Sequence, residues 1–314
     1  MLLFPAAALF GMIVALRRWC YRRGLLPTHR LAVPVLIIGN LTVGGTGKTP
    51  LVLWAAGLLQ ASGRRPGIIL RGYGGSSAAP RPVSSGEDAL LVGDEALLLA
   101  ASSHCPVWTG RDRVAAARAL LAAHPECDVL ISDDGLQHYR LARDIEIAVE
   151  DERGHGNGLL LPAGPLREPS QRSVDATVLN SAREAGSLPR TGPVFRMQVQ
   201  PAGFERLDGS PVAVASLAGR RLHAVAGIGN PQRFFDTLSS LGLQFQAHAF
   251  PDHHAYSETE LDFADCDAVL MTEKDAVKCT RFARRDFIML RVAAVPDSAF
   301  AEFLLKALNG FQTA

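Results

Sequence analysis

No pair of cysteines in this chain has the spacing that binds zinc or runs thiol exchange: Cys20, Cys105, Cys127, Cys266 and Cys279 are scattered and odd in number. A Cys-x-x-Cys centre is thereby excluded, and isolated thiols of this kind suit a reducing cytosol as inert core residues. An excess of charge of one sign is also missing. With 32 basic and 31 acidic residues the net charge is +1, so a nucleic acid is not an expected partner and any basic patch must be local. Repeats of short period and low-complexity tracts are absent as well. Nor is there an apolar run long enough to span a bilayer. The stretch Leu2 to Leu16 is apolar, Gly or Pro throughout, but it is shorter than the roughly 18 to 20 residues that a spanning helix needs.

That stretch is followed by Arg17, Arg18, Arg22, Arg23 and Arg30, with Trp19 and Tyr21 between them. A secretory signal has the opposite order, with positive charge first and a small-residue cleavage site last. An apolar helix edged by arginines and interfacial aromatics suits the surface of a membrane carrying anionic headgroups. Packing on the protein's own core is the alternative for the same helix.

Hydrophobic residues make up 48% of 314 residues, enough for a sizeable core. Single cores seldom grow beyond about 250 residues, so two lobes are expected. Short apolar runs at Val35 to Asn40, Gly67 to Leu70, Val129 to Ser132, Ile145 to Val149 and Ala176 to Leu179 read as buried strands. They alternate with helical spacing over Leu51 to Ser62, Ala89 to Ser102 and Arg111 to His124. This alternation predicts an α/β sheet covered on both faces. Between Ser187 and Gly209, Pro and Gly recur and Val194 to Gln200 alternates like an exposed strand, which places the lobe junction there. A second α/β set follows, with strands at Leu222 to Ala226 and Ala268 to Met271, a turn at Gly227-Ile228-Gly229-Asn230 and a helix over Gln232 to Leu241. The expected division is a membrane-associating helix over residues 1–30, a nucleotide-binding lobe over 31–195 and a smaller C-terminal α/β lobe over 196–314.

Between the first strand and the first helix of the larger lobe lies Thr42-Val43-Gly44-Gly45-Thr46-Gly47-Lys48-Thr49. It departs from the pattern Gly-x4-Gly-Lys-[Ser/Thr] only in having Thr42 where the first glycine is expected. The chemistry needs backbone amides turned to phosphate, a helix N-terminus behind them, a lysine for the β- and γ-phosphates and a hydroxyl for Mg²⁺. Gly44, Gly45, Thr46 and Gly47 supply the loop, Lys48 and Thr49 the side chains, and Pro50 suits a first helical turn. ATP with Mg²⁺ is the expected ligand. The run Val129-Leu130-Ile131-Ser132 ends in Asp133-Asp134, adjacent carboxylates whose repulsion a cation offsets.

Two more clusters carry groups able to move a proton. Gly93-Asp94-Glu95 opens a helix, where Asp94 reads equally as a helix N-cap. Pro251-Asp252-His253-His254 follows the second lobe's first turn, and one of its histidines paired with a carboxylate is a plausible base or relay. Thr272-Glu273-Lys274-Asp275 is either a charged turn or a phosphate contact through Lys274.

Taken together, these blocks resemble the tetraacyldisaccharide 4′-kinase (lipid A 4′-kinase) family over most of the chain, from Ile38-Gly39-Asn40 to Met271-Thr272-Glu273-Lys274-Asp275-Ala276-Val277-Lys278. The matching blocks include Arg71-Gly72-Tyr73-Gly74, Asp133-Asp134-Gly135-Leu136-Gln137-His138, Leu161-Pro162-Ala163-Gly164-Pro165-Leu166-Arg167-Glu168 and Ala226-Gly227-Ile228-Gly229-Asn230-Pro231. The resemblance implies a P-loop NTPase-like α/β fold of two α/β/α lobes joined by a β-ribbon. It also implies transfer of the ATP γ-phosphate to the 4′-hydroxyl of a membrane-embedded lipid A disaccharide precursor. The enzyme is then expected to act as a monomer on the cytoplasmic face of the bacterial inner membrane. By the same resemblance Lys48, Asp94 and His253 are catalytic, Thr49, Asp133, Asp134 and Glu168 hold Mg²⁺, and Arg167 assists them.

Overall fold

The computed structural model describes residues 3–77, 79–181, 192–282, 284 and 286–310. Helix α1 (Phe4–Arg22) leads into the first lobe, which begins with β1 (Val35–Gly39), α2 (Lys48–Ala61), β2 (Pro66–Leu70) and β3 (Arg81–Pro82). It continues through α3 (Ala89–Val92), α4 (Asp94–Ser102), β4 (Val107–Thr109), α5 (Arg113–Ala123), β5 (Val129–Asp133), β6 (Ile145–Asp151) and β7 (Ala176–Asn180). Next come β8 (Val194–Arg206) and β9 (Pro211–Val212), then the second lobe: β10 (Leu222–Ala226), α6 (Pro231–Ser240), β11 (Phe245–Ala249), β12 (Ala268–Thr272) and α7 (Glu273–Cys279). The chain closes with β13 (Phe287–Pro296) and α8 (Ser298–Asn309).

In the first lobe the strands lie in the order β7-β6-β1-β5-β2-β4, all parallel, with β3 antiparallel at the edge. Every residue of β1, β2, β5 and β7 is buried, because both faces of the sheet are covered. Side chains alternate between faces along a strand. Leu36 and Ile38 accordingly enter one core with α2, while Val35 and Ile37 enter the other with α5. The second lobe repeats the plan with β11-β10-β12-β13.

One long antiparallel ribbon, β8 with β13, connects the two sheets: β8 pairs in parallel with β7 at its start and with β13 along its length. The alternating exposure expected for Val194 to Gln200 is present, and beyond it Pro201 to Gly203 are all exposed. The part of the expected junction over residues 187–191 lies outside the described residues. After the ribbon the chain returns to the first lobe, where Phe300, Leu304 and Leu308 of α8 join the core of α2 and Phe300 stacks on Trp54 at 5.4 Å.

The helical stretch expected over Ala89 to Ser102 is divided at Gly93 into α3 and α4, so Gly93-Asp94-Glu95 opens a helix as expected. The Gly93 φ is +89° and an added Cβ would run into the Tyr73 carbonyl, so the chain turns there and restarts as α4 with Asp94 as its first residue. Helix α1 rests on the first lobe through buried Ala7, through Gly11 against Leu160, and through Tyr21 against Tyr139 at 5.6 Å. Its other side leaves Leu9, Met12, Ile13, Leu16 and Trp19 exposed. Among the described residues no helix is long and apolar enough to cross a membrane.

Candidate active site

The register Ile38↔Asp133 sets the ends of β1 and β5 side by side, so the glycine-rich loop and the aspartate pair leave the sheet at one edge. Gly44 and Gly47 take positive φ, +97° and +91°, and Gly47 is the N-cap of α2. Side chains from outside tie off the loop carbonyls. Asn40 Nδ2 donates to Gly44 O at 3.1 Å, Arg153 to Gly45 O at 2.9 Å and Asn180 Nδ2 to Thr46 O at 3.1 Å. The loop is thus shaped before phosphate arrives.

Thr42 has no need to be glycine. It forms an antiparallel bridge with Leu166, flanked by Val43 N to Pro165 O at 2.9 Å and Arg167 N to Leu41 O at 2.7 Å, a pairing any residue adopts. The same pairing delivers Arg167 to the site, where it donates to Asp134 Oδ2 at 2.8 Å and Oδ1 at 3.1 Å. Lys48 Nζ lies 3.8 Å from Asp134 Oδ1. Asp134 holds a left-handed backbone, φ +49°, of the strained kind that collects at functional sites.

The two aspartates are driven apart electrostatically. For Asp134 burial raises the pKa, but the charges of Lys48 and Arg167 outweigh it and hold the carboxyl below its ordinary value. Asp133 is pushed up to about 7, first by burial and then by the charge of Glu95. Its Oδ1 is buried with no hydrogen-bond partner among the described residues. A buried carboxylate without a hydrogen-bond partner for one oxygen, next in sequence to a second carboxylate, fits a divalent cation. No three carboxylate, histidine or cysteine side chains form a ready-made cage among the described residues. Mg²⁺ takes one or two protein carboxylates together with phosphate oxygens and water, a number that Asp133 and Asp134 can supply.

Glu168 is not brought into this group, contrary to expectation. Its carboxylate is buried against Arg172, Oε2 to Nε at 3.1 Å, and its charge adds to burial in pushing up the hydroxyl of Tyr139, the ring under α1. Arg167 and Glu168, adjacent in a bend, reach different partners, Asp134 and Arg172.

A second cluster is assembled from both lobes. His253 Nδ1 lies 3.0 Å from both Asp94 carboxylate oxygens, and the Tyr73 ring is 5.1 Å from the imidazole. Burial raises the Asp94 pKa, yet the hydrogen bond from His253 and the charge of Lys274 prevail and leave it lowered. The His253 pKa is raised, chiefly by the hydrogen bond to Asp94. Of the two neighbouring histidines it is His253 that meets Asp94, whereas His254 turns to Glu260 at 3.2 Å and packs on Phe250 and Tyr256. Asp94 is not an N-cap, since Gly93 occupies that position and Asp94 Oδ1 accepts from Glu95 N.

The turn at Gly229 faces the glycine-rich loop, a Cβ there coming 4.0 Å from Gly45 N. Glu95, next to Asp94, acts through its charge on both Asp133 and Arg113, so the two clusters lie within electrostatic reach of each other. Sequence reasoning missed Arg113, Arg153 and Asn180. Arg113 is buried and donates to the carbonyls of Asp133 and Asp134 at 3.0 and 3.2 Å, but on a helix its spacing looked like an ordinary polar face. Asn180 was discoverable, because a polar residue ending a buried, mostly apolar strand is the same signal that singled out Asp133.

A family model described as "Tetraacyldisaccharide-1-P 4'-kinase" matches residues 1–309. The chain belongs to this family. A tetraacyldisaccharide 4′-kinase of Herminiimonas arsenicoxydans is 48% identical, covering 100% of this chain and 93% of its own length. Another from Nitrosococcus oceani is 52% identical, covering 98% and 90%. Among solved structures, the "apo" form of LpxK from Aquifex aeolicus in complex with ATP superposes with a TM-score of 0.85 at 29% identity, covering 98% of this chain and 100% of that one. The fold class expected from the sequence is thus found in a tetraacyldisaccharide 4′-kinase structure that holds ATP.

Proposed function

We infer that this chain transfers the γ-phosphate of ATP to the 4′-hydroxyl of a tetraacyldisaccharide 1-phosphate, a step of lipid A biosynthesis. The observation that carries the reading is the proximity of two clusters: a phosphate loop with paired aspartates, and a carboxylate–imidazole pair built across the lobes, whose neighbour Glu95 acts on Asp133 through its charge. Gly44 to Gly47 cradle the phosphates, and Lys48 neutralises charge on the β- and γ-phosphoryl oxygens. Thr49, Asp133 and Asp134 would hold Mg²⁺, whose charge offsets that of the phosphates. Asp94, oriented by His253, accepts the proton of the acceptor hydroxyl as the new O–P bond forms and the bond to the leaving ADP oxygen breaks. A carboxyl held low is a weak base, so positioning carries more of the rate than proton affinity.

The domain division that goes with this reading is residues 1–30 as the membrane helix, 31–195 as the nucleotide lobe and 196–314 as the second lobe, whose last helix packs on the first. The protein works as a monomer at the cytoplasmic face of the inner membrane. Leu9, Met12, Ile13 and Leu16 project from α1, and fully burying each is worth about 1.5 kcal/mol or more. A lipid surface satisfies them while Arg17, Arg18, Arg22 and Arg23 meet anionic headgroups.

The reaction is tested with γ-labelled ATP, Mg²⁺ and tetraacyldisaccharide 1-phosphate in mixed micelles, with the labelled position determined. Label is expected at the 4′-hydroxyl, and Asp94→Ala is expected to lower the rate about 10²-fold. Label released only as free phosphate, with the lipid unmodified, would mean a nucleotide-driven switch instead of a kinase. The membrane role is tested separately. Replacing Leu9, Ile13 and Leu16 together by Gln is expected to abolish flotation with anionic vesicles and to leave the thermal midpoint unchanged. Undiminished flotation would refute membrane docking through α1.

A further inference from the structure

The segment Thr272-Glu273-Lys274-Asp275, whose role the sequence left open, forms the start of α7, and three of its four side chains anchor it within the second lobe. Thr272 Oγ1 caps α7 by accepting from Asp275 N at 3.1 Å, and it donates to Asp275 Oδ2 at 2.7 Å. Glu273 accepts from Val292 N at 3.0 Å and pairs with Arg291 at 2.7 Å on the ribbon strand β13. Asp275, fully buried, accepts from Gly227 N at 3.1 Å, and Gly227 O in turn accepts from His253 N at 3.2 Å. The backbone of His253, held at φ +61°, therefore hangs from α7 through a single residue, Gly227.

Lys274 alone of the four leaves its own lobe. Its Nζ lies 3.4 Å from Glu95 Oε1 and 3.9 Å from Asp94 Oδ2 in the first lobe, and 3.5 Å from Asp252 Oδ1 and 3.4 Å from His253 Nε2 in the second. A permanently charged donor at Nε2 and a carboxylate at Nδ1 leave a neutral imidazole one arrangement, with the proton on Nδ1 pointing at Asp94. Without the ammonium, Asp252, whose Oδ2 is 3.9 Å from Nε2, would compete for that proton. The ring would then turn a lone pair toward the Asp94 carboxylate.

We propose that Lys274 is a positioning residue: by bridging Asp94 and Glu95 to Asp252 and His253, it holds the imidazole in the Nδ1–H form directed at Asp94 and so completes the base only when the lobes are together. This rests on the kinase reading above and extends it to how lobe closure is coupled to the chemistry. The groups that face His253 are Asp94 from α4, Lys274 from α7, Asp252 from its own loop and the Tyr73 ring from the segment after β2. Lys274 is the cation among them.

The test combines ¹⁵N NMR of histidine-labelled protein with phosphate transfer from ATP to tetraacyldisaccharide 1-phosphate in mixed micelles, for the wild type, Lys274→Met and Lys274→Arg. The wild type is expected to show His253 protonated on Nδ1, and the Met variant to move the proton toward Nε2. In the Met variant kcat is expected to fall about 10²-fold while KM for ATP stays within about 2-fold, the pattern of a misplaced catalytic group with intact nucleotide binding. The Arg variant is expected to keep the Nδ1–H form and to recover kcat to within about 10-fold of the wild type. A proton on Nε2 in the wild type would overturn the proposal even if no variant folded. So would a Met variant with unchanged kcat, or one whose ATP affinity fell as far as its turnover. Absence of lipid phosphorylation by the wild type itself would fault the kinase reading, and it would be seen before any variant was compared.

Discussion

Lys48→Ala is expected to lower turnover by about 10³-fold while leaving the fold intact, the size of loss that follows removal of one preorganised charged donor from a transferring group. The reason lies in what surrounds the lysine. Lys48 is the first residue of α2, so its ammonium stands at the mouth of the loop, 3.8 Å from Asp134. Three neighbouring cations are held by other groups: Arg167 is paired with Asp134, Arg153 with Asp151 and the Gly45 carbonyl, and Arg113 with the carbonyls of Asp133 and Asp134. Moving any of the three to replace Lys48 would break those contacts. Steady-state kinetics with saturating lipid acceptor, together with a thermal melt, measures both parts of the expectation. Near wild-type activity in Lys48→Ala would remove the phosphate-loop assignment.

The second large effect is expected from Asp134→Asn, which keeps the shape and tolerates the left-handed φ of +49° but deletes the charge. Turnover is expected to fall about 10²- to 10³-fold, with the Mg²⁺ dependence shifted to higher concentration. Two cations, Lys48 and Arg167, converge on this carboxylate, and removing it leaves them without their counter-charge as well as weakening the cation site. The lowered Asp134 pKa gives the sign of the pH dependence. Its contribution to stability is present above the unfolded carboxyl pKa, about 3.9, and is lost as pH falls through the lower folded value. Urea titrations of wild type and Asp134→Asn between pH 3 and 7 measure this contribution, whose expected signature is a difference between the two proteins that narrows toward the acid end. A Mg²⁺ titration in which both proteins saturate alike would exclude Asp134 from the cation site.

Much of the first lobe was legible because its signals are local. A β-branched apolar run followed by glycines, a lysine and a hydroxyl constrains a strand, a loop and a helix within a span where few other arrangements bury the same residues, and β1, the loop and α2 are where they were expected. Strands β2, β5, β6, β7, β10 and β12 were visible for the same reason, each being buried on both faces. The long strand β13 and helix α8 went unread. β13 is buried at one end and half-exposed in the ribbon at the other, and α8 owes its place to a core more than two hundred residues earlier in the chain.

The composition and spacing of side chains determined, without coordinates, that this protein is an α/β nucleotide-binding chain with aspartates at a strand end and an apolar, arginine-edged N-terminal helix. Those features depend on periodicity, backbone preference and residue chemistry over short distances. Only the tertiary structure decided that His253 and not His254 meets Asp94, that Glu168 turns to Arg172 while Arg167 turns to Asp134, and that Lys274 links the lobes. Each of these depends on the direction of a side chain relative to a partner far away in the chain. Adjacent residues in bending or turning backbone reach different partners, so which of two neighbours reaches the site is set by how the lobes dock and cannot be read from their order.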